Sequence, residues 1–327
     1  MILSALCIVK NEANNLPRWL DGMKQVADEI MVTDTGSSDN SREMVRAAGV
    51  RLYDYKWQYD FAAARNFTLA QATGDIILFL DADEYYPLEV LKKLRLRLSS
   101  IFANQQVAGV LAPRINIDAQ AGNKFLDVSP QLRIFRRGLQ YRGKIHENIV
   151  IPQGMQLIKD DSLFFYHTGY GEGQIKDKLQ RNLVMLQDKM ADPEYKKQPI
   201  DYRYLLDCYY GLGDLSAAFK ISGICLSYPK QLGHELNYIY KIRAKTAIFL
   251  GKTRSDVEAI LSEAKAQGDW LYFTWLHAAY LYEQGDLAGA LSLARTGLEV
   301  APGLDMRSPA YEFLPAMQKI LAEGNSR

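Results

Sequence analysis

Apolar positions in the first hundred or so residues follow two alternating rhythms. Leu3–Val9 is a continuous apolar run, and Leu16, Trp19, Leu20 and Met23 then recur at helical spacing within 14–26. Residues 29–33 form a second apolar strand, left by the loop Asp34-Thr35-Gly36-Ser37-Ser38-Asp39. Ser38 or Asp39 is suited to cap the next helix, which should end near Ala48-Gly49. A short strand at 50–53, a helix at 61–72 closed by Thr73-Gly74, and the run Asp75-Ile76-Ile77-Leu78-Phe79-Leu80 complete a βαβ series. Several strands are apolar throughout, as expected where both faces of a sheet are covered.

From 107 to 167 the pattern shortens to β-like runs at 109–117, 131–135, 145–151 and 162–166, divided by Gly and Pro turns. Mixed or antiparallel strands are expected there. After Gly173 the spacing turns helical and stays so, which predicts an α/β domain over 1–175 and an all-α domain over 176–327. The helical part repeats itself: Tyr209, Gly213, Ala218, Cys225 and Pro229 recur as Leu281, Gly285, Ala290, Gly297 and Pro302, with a degenerate copy on Gly251. Glycines about 34–38 residues apart, small Ala positions and a closing Pro describe stacked helix hairpins, and residues 200–302 resemble tetratricopeptide repeats. Such stacks bind peptides or partner surfaces, or pack on a neighbouring domain.

Composition changes this picture little. With 48% hydrophobic and 24% charged residues and a net charge of +1, nothing global favours nucleic acid or an anionic membrane. The basic helix Lys92-Lys93-Leu94-Arg95-Leu96-Arg97 reads as a solvated face, whereas Arg133, Arg136, Arg137, Arg142 and Lys144 are candidates for holding phosphates or an acidic acceptor. Cys7, Cys208 and Cys225 sit in apolar patterns and are expected as buried thiols. The opening residues lack a basic n-region and a small-residue cleavage site, and no apolar run approaches a membrane span, so a cytoplasmic protein is expected.

Chemistry concentrates in Asp81-Ala82-Asp83, directly after an apolar strand. Two carboxylates at a strand end suit a hard divalent cation, Mn²⁺ or Mg²⁺, that keeps open positions for phosphate oxygens. Lys10-Asn11-Glu12 and Asp34–Asp39 follow two other strands, and parallel strands bring their carboxyl ends to one edge. Phe61-Ala62-Ala63-Ala64-Arg65-Asn66 opens a helix beside them. Together these segments offer acceptors for a nucleobase and ribose, a cation for a pyrophosphate, and an arginine for a phosphate.

In this order, I-V-K-N-E, V-T-D-T-G-S-S-D, A-A-A-R-N and F-L-D-A-D-E resemble the catalytic domain of an inverting, family 2 glycosyltransferase of GT-A fold, a Rossmann-like mixed sheet. The whole chain is similar to the branch that joins such a domain to tetratricopeptide-like repeats, which includes bacterial peptide glycosyltransferases and transferases of lipopolysaccharide core sugars. The resemblance implies a nucleotide-sugar donor, UDP-linked, and places Asp34 and Thr35 beside nucleobase and ribose, with Glu12 near the same pocket. It puts Asp81 at the ribose or the metal, Asp83 on the metal, and Arg65 at the nucleotide. His167 or His146 would add a histidine to the metal. The Glu-Asp pair that usually carries the family's base is absent between Gly109 and Tyr170, and Glu147 of His146-Glu147 is the replacement, ahead of Asp127 and Asp118.

A protein, peptide or glycan acceptor is expected, with no nucleic acid and no membrane span. Trp57, Tyr59, Tyr85 and Tyr86 are candidate faces for a sugar or peptide. The competing reading is a tetratricopeptide adaptor whose front domain is inactive. A phosphohydrolase with Asp81 as nucleophile ranks lower, because its motif belongs after the first strand. No Walker loop or dinucleotide fingerprint occurs.

Overall fold

The computed structural model describes residues 1–169, 172–301, 304–305 and 308–325, in two compact units, Met1–Asp177 and Lys178–Arg327. Pro302 of the repeat lies outside the described residues.

The first unit runs β1 (Leu3–Val9), α1 (Leu16–Val26), β2 (Glu29–Asp34), α2 (Ser41–Ala47), β3 (Arg51–Asp54), α3 (Phe61–Leu69), β4 (Ile76–Phe79), β5 (Glu84–Tyr85) and α4 (Leu88–Phe102). A long hairpin follows, β6 (Val107–Asp118) and β7 (Lys124–Arg136), then β8 (Tyr141–Arg142), β9 (Asn148–Ile149), β10 (Gln156–Lys159) and β11 (Phe165–His167). The main sheet has the order β3-β2-β1-β4-β7-β6-β11-β5, with β10 beside the first half of β6. β3, β2, β1 and β4 are parallel; β7 is antiparallel to both β4 and β6, and β11 is parallel to β6. Two reversals cancel, so β1, β2, β4, β6 and β11 all end on the same edge.

Alternation along the strands splits the core into two layers. Leu3, Ala5, Cys7 and Val9 of β1, with Ile76 and Leu78 of β4, pack with Trp19, Met23, Leu94 and Leu98 of α1 and α4. Leu6, Ile77 and Phe79 face the other way, toward Ala62, Phe135 and Tyr141. Burial on both faces is why these strands read as unbroken apolar runs.

The second unit is helical: the part of α5 (Glu172–Ala191) from Lys178 onward, then α6 (Pro199–Gly211), α7 (Leu215–Leu226), α8 (Leu236–Phe249), α9 (Arg254–Gln267), α10 (Trp270–Glu283), α11 (Leu287–Val300) and α12 (Leu314–Asn325). Gly213, Gly251 and Gly285 follow α6, α8 and α10 at φ of 82°, 61° and 80°, a left-handed turn that glycine adopts without strain. Asp214, Thr253 and Asp286 then accept from the first-turn amides of α7, α9 and α11. Buried Ala218, Ala290 and Ala294 allow close helix approach.

Several details depart from the expectations. Asn40 holds the N-cap position of α2 without a side-chain hydrogen bond, and Asp39 Oδ1 accepts from the first-turn Ser41 amide at 3.0 Å; β7 is far longer than 131–135, and 145–151 is mostly irregular. All three cysteines are free and buried, and burial pushes the Cys208 and Cys225 thiols up to about 12. Among the described residues, no helix is long and apolar enough to cross a membrane.

Candidate active site

The strand-end loops are stitched together before any ligand enters. Asn11 takes a left-handed φ of 58°, a conformation asparagine tolerates. Its amide donates to Ser37 Oγ at 2.9 Å and its Oδ1 accepts from the Ser38 amide at 2.7 Å. The Glu12 amide donates to Ser41 Oγ at 2.8 Å and the Ala13 amide to Asp39 Oδ2 at 3.0 Å. Asp39 is therefore a loop organiser, and the Glu12 carboxylate accepts from Asn15 Nδ2 at 2.8 Å.

Asp34 closes β2 with its side chain buried. Oδ1 accepts from the amides of Gly36 and Ser37 and from Arg42 Nη1, all at 3.0 Å. Oδ2 is buried and has no hydrogen-bond partner among the described residues. A buried carboxylate oxygen left unmatched costs free energy that a ligand donor recovers. Thr35 Oγ1 beside it donates to the Val9 carbonyl at 2.9 Å, so the β1 and β2 ends are locked in register.

Beyond β4 lies a buried ion network. Arg65 donates through Nη2 to Asp81 Oδ1 at 2.8 Å and through Nε to Glu147 Oε1 at 2.7 Å. Arg133 donates to Asp81 Oδ2 at 2.8 Å and in bidentate fashion to Glu84 at 2.8 and 2.7 Å. The Arg65 guanidinium also lies over the Phe79 and Tyr141 rings, at 4.8 and 5.3 Å from their centroids. Burial pushes the Asp81 carboxyl up, but Arg133 and Arg65 outweigh it and hold it below the usual carboxylate range. For Glu84, fully buried, burial prevails and its pKa is raised despite Arg133. The next residue of the same motif, Asn66, clamps the segment carrying Glu147: Nδ2 donates to the Tyr141 carbonyl and Oδ1 accepts from the Tyr141 amide, each at 2.9 Å.

Asp83 meets His167 through strand pairing. β11 lies antiparallel to β5 with His167 opposite Glu84, which brings His167 Nε2 to 3.2 Å from Asp83 Oδ2. The Thr168 amide donates to the Asp83 carbonyl at 3.0 Å. At Gly169 a Cβ would strike Asp83 Oδ2 and come within 2.6 Å of His167 Nε2, so glycine leaves the pocket between them open. Donors on adjacent corners of an octahedron, at about 2.1 Å from Mg²⁺, stand about 3 Å apart. Asp83 and His167 therefore fit a hard cation as a two-donor set that relies on phosphate oxygens and water for its remaining positions. Among the described residues, no group of three or more His, Cys, Asp and Glu is arranged to hold a metal.

Of the two histidines read as ligands, His167 stands beside Asp83, whereas His146 is exposed in the turn between β8 and β9 at φ 55°. Of the base candidates, Glu147 joins the Asp81 network through Arg65. Asp118 accepts from the Gln120 and Ala121 amides at the hairpin turn, and Asp127 is bonded to Asn116. The basic cluster disperses: Arg133 is buried, and Arg136 donates to the carbonyls of Phe102, Asn104 and Val107. Arg95 and Arg97 of the basic helix pair with Asp28 and Asp160. Glu84, Asn116 and Gly169 escaped the sequence reading as site residues, and Arg133, read there as a candidate for a phosphate or an acidic acceptor, is bonded to Asp81 and Glu84 instead. Adjacency to Asp83 was the signal for Glu84; Arg133 sits in a run that looks like ordinary strand.

A family profile described as Glycosyl transferase family 2 matches residues 4–163. A TPR repeat-containing protein of Synechococcus elongatus is 30% identical over 329 residues, across 91% of this chain and 75% of that protein. The chain belongs to glycosyl transferase family 2. The SPbeta prophage-derived glycosyltransferase SunS of Bacillus subtilis is 28% identical over 58% of the chain, which spans 46% of SunS, less than half its length. A solved structure of glucosyl-3-phosphoglycerate synthase from Mycobacterium tuberculosis, with Mn²⁺, UDP and glucosyl-3-phosphoglycerate, is 20% identical over 35% of this chain and 44% of that one. Its TM-score of 0.31 is too slight to speak for ligands. The first unit thus carries a family 2 glycosyltransferase domain on a mixed sheet, and a helical unit follows it.

Proposed function

We propose that this family 2 enzyme moves a sugar from a UDP-linked donor to an acceptor, with inversion at the sugar carbon and dependence on Mn²⁺ or Mg²⁺. The observation that carries the proposal is the Asp83–His167 pair, 3.2 Å apart on the same sheet edge as Asp34 Oδ2, which is buried without a hydrogen-bond partner among the described residues. Asp34 Oδ2 accepts from an N–H of the base, with Thr35 and Glu12 lining that pocket. Asp81, kept ionised by Arg65 and Arg133, serves the ribose, and Arg65 shapes the nucleotide pocket. Asp83 and His167 would hold the cation, which would offset the charge on the departing diphosphate. Glu147 takes the proton from the acceptor hydroxyl, side chain or sugar.

For the acceptor we favour a protein or peptide, read in part by a repeat domain over 176–327 that follows the catalytic domain over 1–175. Helix hairpins turned by Gly213, Gly251 and Gly285 support that choice, since stacked hairpins offer an extended surface.

Calorimetry against a panel of nucleotide-sugars, with Mn²⁺ and with chelator, together with slow hydrolysis to the nucleoside diphosphate, tests the proposal. Metal-dependent binding of one UDP-sugar is the expected result. Silence across the panel would overturn it in favour of a tetratricopeptide adaptor with an inactive front domain.

A further inference from the structure

Three strands place a row of polar side chains behind the proposed cation position. Asp127 of β7 pairs across the sheet with Asn116 of β6, and Asn116 pairs in turn with His167 of β11. Asn116 is 1% exposed, which is unusual for an amide in a strand unless both its ends are matched. They are: Asn116 Nδ2 donates to Asp127 Oδ1, and Asn116 Oδ1 lies 2.8 Å from His167 Nδ1.

The order of these contacts is dictated by chemistry. An ionised carboxylate only accepts hydrogen bonds, so Asp127 requires the NH₂ end of the Asn116 amide. The carbonyl end must then face His167, and because it too only accepts, His167 Nδ1 must carry a hydrogen. In the neutral ring that leaves Nε2 with its lone pair directed toward Asp83 Oδ2. Two lone pairs 3.2 Å apart repel unless a positive charge, a second ring proton or a metal cation, sits between them. A metal ligand imidazole needs this arrangement, with the far nitrogen fixed by an outer acceptor.

We infer that Asp127 and Asn116 are positioning residues that set the tautomer of His167, so that Nε2 is presented to the cation shared with Asp83. The cation itself rests on the proposed function; the tautomer does not. Asp127, a weaker candidate for the base by sequence, thereby acquires a different task.

Nuclear magnetic resonance of the metal-free protein, labelled at histidine nitrogens and held where the ring is neutral, reads the tautomer directly. With 4 histidines in the chain, the His167 signals are assigned by their loss in His167→Gln. The expected result is hydrogen on Nδ1 in the wild type. In Asp127→Ala the amide is released to turn over, and the other tautomer should appear; Asp127 is exposed, so this variant keeps the fold. Asn116→Ala should act in the same direction. Mn²⁺ affinity in the presence of UDP, read by paramagnetic resonance, should fall about 10–100-fold in Asp127→Ala. Hydrogen on Nε2 in the wild type, or an unchanged tautomer in both variants, would overturn the inference. A tautomer that responds as expected in a protein whose wild type holds no Mn²⁺ with UDP would uphold the relay and remove the metal reading.

Discussion

The two halves of the first unit's sheet supply the candidate site by different physical routes. In the parallel half, β3-β2-β1-β4, each site residue sits at or just beyond the end of its own strand: Asp34 closes β2, and Asp81 and Asp83 follow β4. In the half built from β7, β6, β11 and β5, residues reach the site by register. Arg133 lies inside β7, Asn116 inside β6, and His167 ends a three-residue strand set beside β5. Strand ends on the parallel side are displayed by local sequence, whereas the other side depends on pairings between residues far apart in the chain. Because the side-chain period of a strand is two, a one-residue slip of β6 against β7 would turn Asn116 to the opposite face.

The comparison predicts losses of different kinds on the two sides. Asp83→Asn, a nearly isosteric change at a parallel-strand end, should lower kcat/KM by about 10³–10⁴-fold, the several kcal/mol expected of a lost cation contact, with unchanged unfolding. Retained turnover with full metal dependence would remove Asp83 as the ligand. Glu147→Gln should lower kcat by about 10²–10⁴-fold while sparing UDP-sugar affinity. Weakened donor binding with normal turnover would instead make Glu147 a partner of Arg65 and no more.

In the mixed half the larger effect should be on stability. Arg133→Met leaves Glu84 and Asp81 without their shared cation in a buried setting and should cost about 3–5 kcal/mol in urea unfolding. A cost below about 1 kcal/mol would show that the network is not structural. The smallest effect is expected in the helical unit, where Gly297 lies against the buried Trp275 indole and leaves no room for a Cβ. Gly297→Ala should cost about 1–3 kcal/mol by overpacking and leave kcat of the folded fraction unchanged. A change in donor KM there would link the two units in a way that the packing of Trp275 does not require.

Much of the parallel half was legible because its signals are local. An apolar run of strand length followed by Asp-x-Asp, or by a Gly-Ser loop, declares both the strand and the edge at which its polar residues emerge. The repeat was legible for a similar reason, since Gly213, Gly251 and Gly285 mark turns that need a left-handed φ. β7 was not. Residues 124–130 join adjacent exposed Phe125 and Leu126 to an alternation of only four residues, Leu126-Asp127-Val128-Ser129, that runs into Pro130, too short a pattern to mark a strand, and pairing with β6 is what extends them. The stretch 145–151 failed in the opposite sense. Its apolar residues suggested a strand, yet the backbone turns at His146 and pairs only at Asn148 and Ile149.

By itself, the sequence determined the alternation of strand and helix, the order of the polar loops and the identity of the residues that end β2 and β4. Each of these follows from side-chain pattern within a few neighbours. Tertiary structure alone decided that His167 rather than His146 faces Asp83, that Arg65 ties Glu147 to Asp81, and that Arg133 is spent on buried Glu84. Those contacts join residues tens of positions apart, and a buried charge must find its partner wherever the sheet register brings one.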